Sequence, residues 1–388
     1  MRSTILSAAA LALLVSACSA AGTNQTVPMG SNASATAGVA GARIASGMQP
    51  DADATSILKT LATQTIIGST VDAKNGDMAP YGLTYVSKPP YGGGKFKKGD
   101  LIACNFADSS GTLGNGTTEE ILTAKAGSKP VQLVQSANIK GCTGLGEYAD
   151  LGVVYSTDAT AKNVVATVAK GKVYETITGG PMVQPYGGVY LTARVSYPPG
   201  DSYWNGDATS GTLWRIDLGT EQKKPPVTGV VTGFKVNKGK PGSVLGPTAL
   251  AYNPKNDTMY VADGASNILY AFSKVYSFLD EAKAVVIGST GKTFTGPEAK
   301  NAKVLYSGTA LSGPVSMTVL ANGNLIVANT KSNNLVEIES TGAILDTKSV
   351  DSGAGGAIRG IVAVGTSDTN TVLYFTDVNG NNVQELSK

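Results

Sequence analysis

The sequence predicts an all-β fold: a six-bladed β-propeller, four antiparallel strands per blade, with the ring closed by an N-terminal strand. Three observations carry this expectation. Six segments between residues 79 and 386 share one plan: an apolar run, a turn or insertion, a second run ending near an Asp or Asn, a small polar turn and a third run. A further apolar run suited to a fourth strand follows each of the first five segments. Finally, "TQTIIGSTV" at 63–71 precedes the first segment and has no other partner, so it completes the last blade and hides strand edges that would otherwise be open. With 48 Gly and only 15% charged residues, the composition suits short strands joined by tight turns.

In chain order, the first element is a leader. "MRSTILSAAALALLVSAC" has a basic start at Arg2 and an apolar run from Ala8 to Val15, too short for a membrane span. Val15, Ser16, Ala17 and Cys18 resemble the lipobox of bacterial lipoproteins. That resemblance implies a signal peptide at 1–17 and lipidation of Cys18, with acyl chains holding the protein to a membrane surface in the bacterial cell envelope. Ser19, a residue other than Asp after the Cys, implies the outer membrane. Residues 18–55 read as a flexible tether rich in small and polar residues, and 56–388 as the propeller.

The six copies begin with "APYGL" at 79, "GCTGL" at 141, "QPYGG" at 184, "GPTAL" at 246, "GPVSM" at 313 and "IRGIV" at 358. The fourth-strand runs are "PVQLVQSA" (130–137), "KVYETI" (172–177), "GVVTGFKV" (229–236), "KVLYSG" (303–308) and "AILDTKSV" (343–350). The pattern Pro-x-Gly-apolar, then apolar-Tyr-Val-Ala-Asp with Asn four residues on, resembles the NHL repeat family and its six-bladed neighbours. It is clearest in copies four to six and loose in the first three.

Asn105, Asp158, Asp207, Asp263, Asn329 and Asp377 recur at the end of the second strand. A short polar side chain there accepts hydrogen bonds from the N–H groups of its own turn, which makes the ring structural. Six equivalent positions on a circle diverge, so they do not make a calcium cage, and no metal site is expected. After the Pro position of the opening motif the residues are Tyr81, Thr143, Tyr186, Thr248, Val315 and Arg359. This column varies in chemistry, while the next one stays small: Gly82, Gly144, Gly187, Ala249, Ser316 and Gly360. The varied column suits a ring around the channel mouth that binds a small polar or anionic ligand, or that plugs the channel.

Cys104 and Cys142 sit in an exported chain, at neighbouring blades on one face; a disulfide between them is expected, with two separate buried thiols as the alternative. The insertions "VSKPPYGGGKFKKGD" (86–100) and "RVSYPPGDSYWNGD" (194–207) share Pro-Pro, aromatic residues and glycines. Both emerge on the face opposite the opening motifs and can reach over the second blade. They offer exposed Tyr and Trp for a protein or glycan contact, or pack as a cap.

The chain has no His, which excludes Ser-His-Asp, Cys-His and His-metal chemistry. A net charge of +3 with scattered basic residues gives no case for nucleic acid. Two function classes remain. One is an anchored binding or assembly module with no catalytic residue and no cofactor. The other resembles the calcium-dependent propeller lactonases, for which Glu147 and Asp150 are the only acids near a first strand and lack a matching Asn-Glu-Asp set. The streptogramin-cleaving propellers rely on His and fit poorly.

Overall fold

A computed structural model of the chain describes residues 55–178, 180–192, 200–218, 224–239, 242–278 and 281–388. The leader, Cys18 and the tether up to residue 54 lie outside the described residues. The described residues belong to one compact unit.

That unit is a six-bladed β-propeller. A short helix, α1 (Ile57–Thr60), leads into β1 (Thr63–Ser69). Blade one is β2 (Met78–Tyr85), β3 (Asp100–Ala107), β4 (Thr118–Thr123) and β5 (Val131–Gln135). Blade two is β6 (Cys142–Tyr148), β7 (Val153–Asp158), β8 (Asn163–Val168) and β9 (Lys172–Thr178). Blade three is β10 (Pro185–Leu191), β11 (Ser202–Asp207), β12 (Thr212–Asp217) and β13 (Val227–Thr232). Blade four is β14 (Pro247–Asn253), β15 (Thr258–Asp263), β16 (Ile268–Ser273) and β19 (Ala302–Ser307). Between its last two strands lie β17 (Val285–Ile287) and β18 (Phe294–Thr295), which join blade three beyond β13. This extension was not anticipated from the sequence, because β17 pairs in parallel with a strand of the preceding blade. Blade five is β20 (Pro314–Val319), β21 (Leu325–Asn329), β22 (Asn334–Ile338) and β23 (Ile344–Ser349). Blade six is β24 (Ile358–Val364), β25 (Val372–Asp377) and β26 (Asn382–Ser387), and β1 is its outer strand.

The closure has a second fastening. Ile57, Leu58 and Leu61 bury themselves in the apolar seam between blades five and six. The buried Glu337 holds that turn in place: its Oε2 accepts the Leu58 N–H at 2.8 Å and the Ser56 hydroxyl at 3.0 Å, while its Oε1 accepts the Asn324 amide at 3.0 Å. The carboxylate satisfies donors that the short helix cannot satisfy itself.

Cys104 on β3 and Cys142 on β6 form a disulfide with Cα atoms 6.0 Å apart, pinning blade one to blade two. The cross-link spans 38 residues of sequence. On the chain-entropy account it stabilises the fold by about 3 to 4 kcal/mol. Gly144 shows why the column beside the ring is small: a Cβ there would lie 2.5 Å from the Gly187 backbone of the next blade.

Candidate functional site

Two regions could take a ligand: the central channel, and a groove on the opposite face beside blades two and three. The channel begins with the innermost strands. In blades one, two, four and five a β-bulge falls on the ring residue itself, leaving Tyr81, Thr143, Thr248 and Val315 as the extra residue in the pairing. Blade six bulges at Arg359–Gly360, and blade three one residue later, at Gly187–Gly188. A bulge re-aims the side chain it carries. This explains how residues of varied chemistry come to face the channel from strands built on one plan.

The channel encloses about 340 Å3, and Tyr81, Thr143, Thr248, Val315 and Arg359 all line it. Tyr186 is buried beside Tyr81 in one apolar cluster. The two threonines are spent on the scaffold. Thr143 donates to the Pro185 carbonyl at 3.0 Å, and Thr248 to the Pro314 carbonyl at 3.0 Å, each tying its blade to the next. Arg359 stacks over the Tyr81 ring and donates to the Gly242 carbonyl at 2.7 Å. Gly242 is packed so closely on this mouth that a Cβ would lie 2.6 Å from Leu113 and 3.1 Å from the Tyr81 hydroxyl. Burial pushes the Tyr81 and Tyr186 hydroxyls up, and the Arg359 charge opposes this at both. These contacts bind Arg359, Tyr81 and Gly242 to one another at the mouth.

The channel holds little acid chemistry. Glu147 lines it and accepts the Ser87 N–H at 3.1 Å and the Ser87 hydroxyl at 2.9 Å; burial raises its pKa. Asp150 pairs with Lys88, and both are exposed. Among the described residues no three acidic or cysteine side chains converge as a metal would require. The donors present do not fit the calcium set that the lactonase resemblance implies.

The recurrent Asp/Asn ring divides in two. Asp207, Asp263 and Asp377 accept N–H groups of their own turns, for example Thr209 and Ser210 on Asp207 at 2.9 Å. The other three act elsewhere. Asn105 donates to the Thr70 carbonyl at 2.8 Å, Asp158 accepts the Ser156 hydroxyl at 3.1 Å, and Asn329 accepts the Ser312 N–H at 3.0 Å. Asp158 is pushed well above the usual carboxylate range, first by burial and then by Glu119.

The insertions need one correction. Tyr203 and Trp204, expected on an exposed loop, lie in β11 and are fully buried. Sheet pairing with β10 and β12 on either side places them in the core. Residues 194–199 of that insertion lie outside the described residues. The first insertion does lean onto blade two: the Lys95 N–H donates to the Ala169 carbonyl at 2.7 Å, and Pro90 packs on Gly152.

Where that insertion meets blade two, a groove of about 760 Å3 opens. Tyr91, Tyr148, Tyr155, Tyr174 and Tyr190 line it, together with Glu175 and Asp201. Tyr148 and Tyr190 stack with centroids 4.6 Å apart and planes 14° from parallel, and the stack continues inward through Tyr155 to Tyr203. Burial, and after it Asp201, raises the Tyr148 and Tyr190 hydroxyls. Tyr190 also lines the channel, so the groove and the inner end of the channel meet at its ring.

No protein-family model matches the chain, and no curated protein matches it in sequence. Solved structures match it in fold. A gluconolactonase from Xanthomonas campestris aligns with a TM-score of 0.52 at 13% identity, over 80% of this chain and 86% of that one. A chain of a nidogen/laminin complex aligns with a TM-score of 0.51 at 12% identity, over 75% of this chain and 87% of that one. Virginiamycin B lyase from Staphylococcus aureus reaches a TM-score of 0.47 at 16% identity, over 83% and 84%. Likenesses this remote show a shared propeller and leave activity open.

Of the groove residues, the sequence reading had singled out none by number. Tyr91 and Asp201 fell inside the quoted insertions, and Tyr174 and Glu175 inside a quoted fourth-strand run. The available signal was Tyr174, an aromatic where the other outer strands carry aliphatic residues.

Proposed function

We propose that this protein is a lipid-anchored binding module of the bacterial cell envelope, held to the outer membrane through Cys18 and the tether at 18–55, and that it takes its partner on the insertion face. One observation carries the choice of face: the groove there is walled by five tyrosines and two carboxylates and holds about 760 Å3 against about 340 Å3 for the channel, whose Arg359, Tyr81 and Gly242 are bound to one another. The groove's volume falls within the roughly 300–1,000 Å3 usual for ligand sites. The alternative is a calcium-dependent lactonase acting in the channel, and the gluconolactonase likeness supports it only at the level of fold.

Two measurements test the proposal. Labelling with a radioactive fatty acid should mark the protein and leave it in the membrane fraction; Cys18→Ser should abolish both, and a soluble, unlabelled wild type would refute the anchor. Thermal melts of the Cys18→Ser protein in EDTA and then in Ca2+, Mg2+, Mn2+ and Zn2+ separate binding module from lactonase, since an ion that binds only the folded state raises the midpoint. No shift and no lactone hydrolysis are expected. A rise of several degrees with one ion, accompanied by lactone turnover, would establish the enzyme instead.

A further inference from the structure

We infer that the groove beside blades two and three is a binding site for an organic cation, an ammonium or guanidinium group carried on an apolar stem. This deepens the binding-module reading and rests on it.

The first support is a departure from the repeat. Every blade carries a β-bulge in its outermost blade strand, where one residue is skipped in the pairing. In blades one, three, four, five and six that residue is Leu133, Val230, Leu305, Leu345 or Ile67, buried or half-buried in every case. In blade two it is Tyr174, skipped between the pairs Ala166↔Glu175 and Thr167↔Val173, and it is 73% exposed. The fold buries this position in four blades, half-buries it in blade five and offers it to solvent in blade two. The same bulge allows Tyr174 and its neighbour Glu175, which would face opposite ways on a regular strand, to line one groove. Two more of the exposed large hydrophobic residues, Tyr91 and Leu151, line the same groove.

The second support is charge. The formal charge of the chain is +3, yet Glu175 and Asp201 line this groove and, among the described residues, no Lys or Arg does. Burial is the largest influence raising the Tyr155 hydroxyl, and the charges of Glu175 and Asp201 come next. The charged groups among the described lining residues are therefore all acidic. Asp201 also raises the Tyr148 and Tyr190 hydroxyls, after burial, which places its charge beside the stacked rings. A neutral ligand without hydrogen-bond donors would strip water from the carboxylates without replacing it. A cation compensates them and meets the tyrosine faces through cation–π attraction. The stem lies against Leu151, Val153 and Val168.

The test titrates the full chain calorimetrically, in low salt and then in high salt. The probes are butylammonium, butylguanidinium, the capped tripeptides Ala-Lys-Ala and Ala-Arg-Ala, the neutral Ala-norleucine-Ala, and cellobiose. The expected result is saturable binding of the cations, weakened by salt, with the norleucine peptide about tenfold weaker or worse. Tyr174→Ala and Glu175→Gln, on side chains exposed or half-buried, should each weaken cation binding about three- to tenfold while leaving the melting midpoint in place. Peptides that bind well above the free cations assign the site to a Lys or Arg side chain of a polypeptide; equal affinity assigns it to a free amine. Norleucine binding as well as lysine overturns the inference. So does cellobiose binding that Glu175→Gln leaves intact, which would make the groove a glycan site and keep the binding module. No binding of any cation also overturns it, and the metal melts then judge the binding-module reading separately.

Discussion

Arg359 places its guanidinium carbon 4.6 Å from the centroid of the Tyr81 ring, and its Nη2 donates to the Gly242 carbonyl at 2.7 Å. Tyr81 in turn stacks on Phe106, centroids 4.1 Å apart. One cation thus joins blade six, blade one and the segment between blades three and four across the channel mouth. Arg359→Ala should open this mouth and cost about 1 to 2 kcal/mol, the worth of a partly desolvated cation–π contact plus a charged hydrogen bond. Limited proteolysis near Gly242 and the melting midpoint would report it. An unchanged cleavage pattern and midpoint would mean that Arg359 does not hold the mouth together.

Acidity should stabilise this propeller. Burial pushes the Glu119 carboxyl up to about 8, and pushes Glu120 up to about 9 with Asp72 adding to the shift; the ordinary value is 4.5. Between those limits the folded protein holds protons that the unfolded chain has released. The resulting stability is complete below the unfolded pKa and is lost as pH rises through the folded one, by at most about 1.4 kcal/mol per pH unit for each group. The midpoint should therefore fall between about pH 5 and pH 9. Glu119→Gln, which keeps the shape without the titration, should make that fall shallower; an identical slope would show that Glu119 does not contribute.

Glu337→Ala should loosen the N-terminal fastening. It leaves the Leu58 N–H and the Asn324 amide without their acceptor, at about 1 to 3 kcal/mol for each buried group. Hydrogen exchange should then rise first in α1 and β1 and only later in the other blades. Uniform acceleration around the ring would instead mean that the closure and the blades open as one unit.

Much of the architecture was legible in the residues. The column Gly82, Gly144, Gly187, Ala249, Ser316, Gly360 marked the crowded innermost strands, and Gly144 shows the reason in its contact with Gly187. The candidate site was far less legible. Tyr203 and Trp204 looked like loop aromatics because Pro198 and Pro199 precede them closely, yet the pairing of β11 places them in the core. Glu147 lines the channel and Tyr148, next along β6, lines the groove; the alternation of a strand separates them, and the sequence shows only that they are adjacent.

The sequence by itself determined the number of blades and the closing strand β1. Periodic apolar runs are a local property, and a repeated unit shows its register wherever it recurs. Only the tertiary structure decided which residues a ligand could reach. It brought Gly242, far along the chain from both, against Tyr81 and Arg359 at the mouth, and turned Tyr174 outward beside Tyr91 and Asp201. Exposure and side-chain direction at a bulge depend on which strand pairs alongside and which loop packs above. Those partners lie many residues away, where no local pattern reaches.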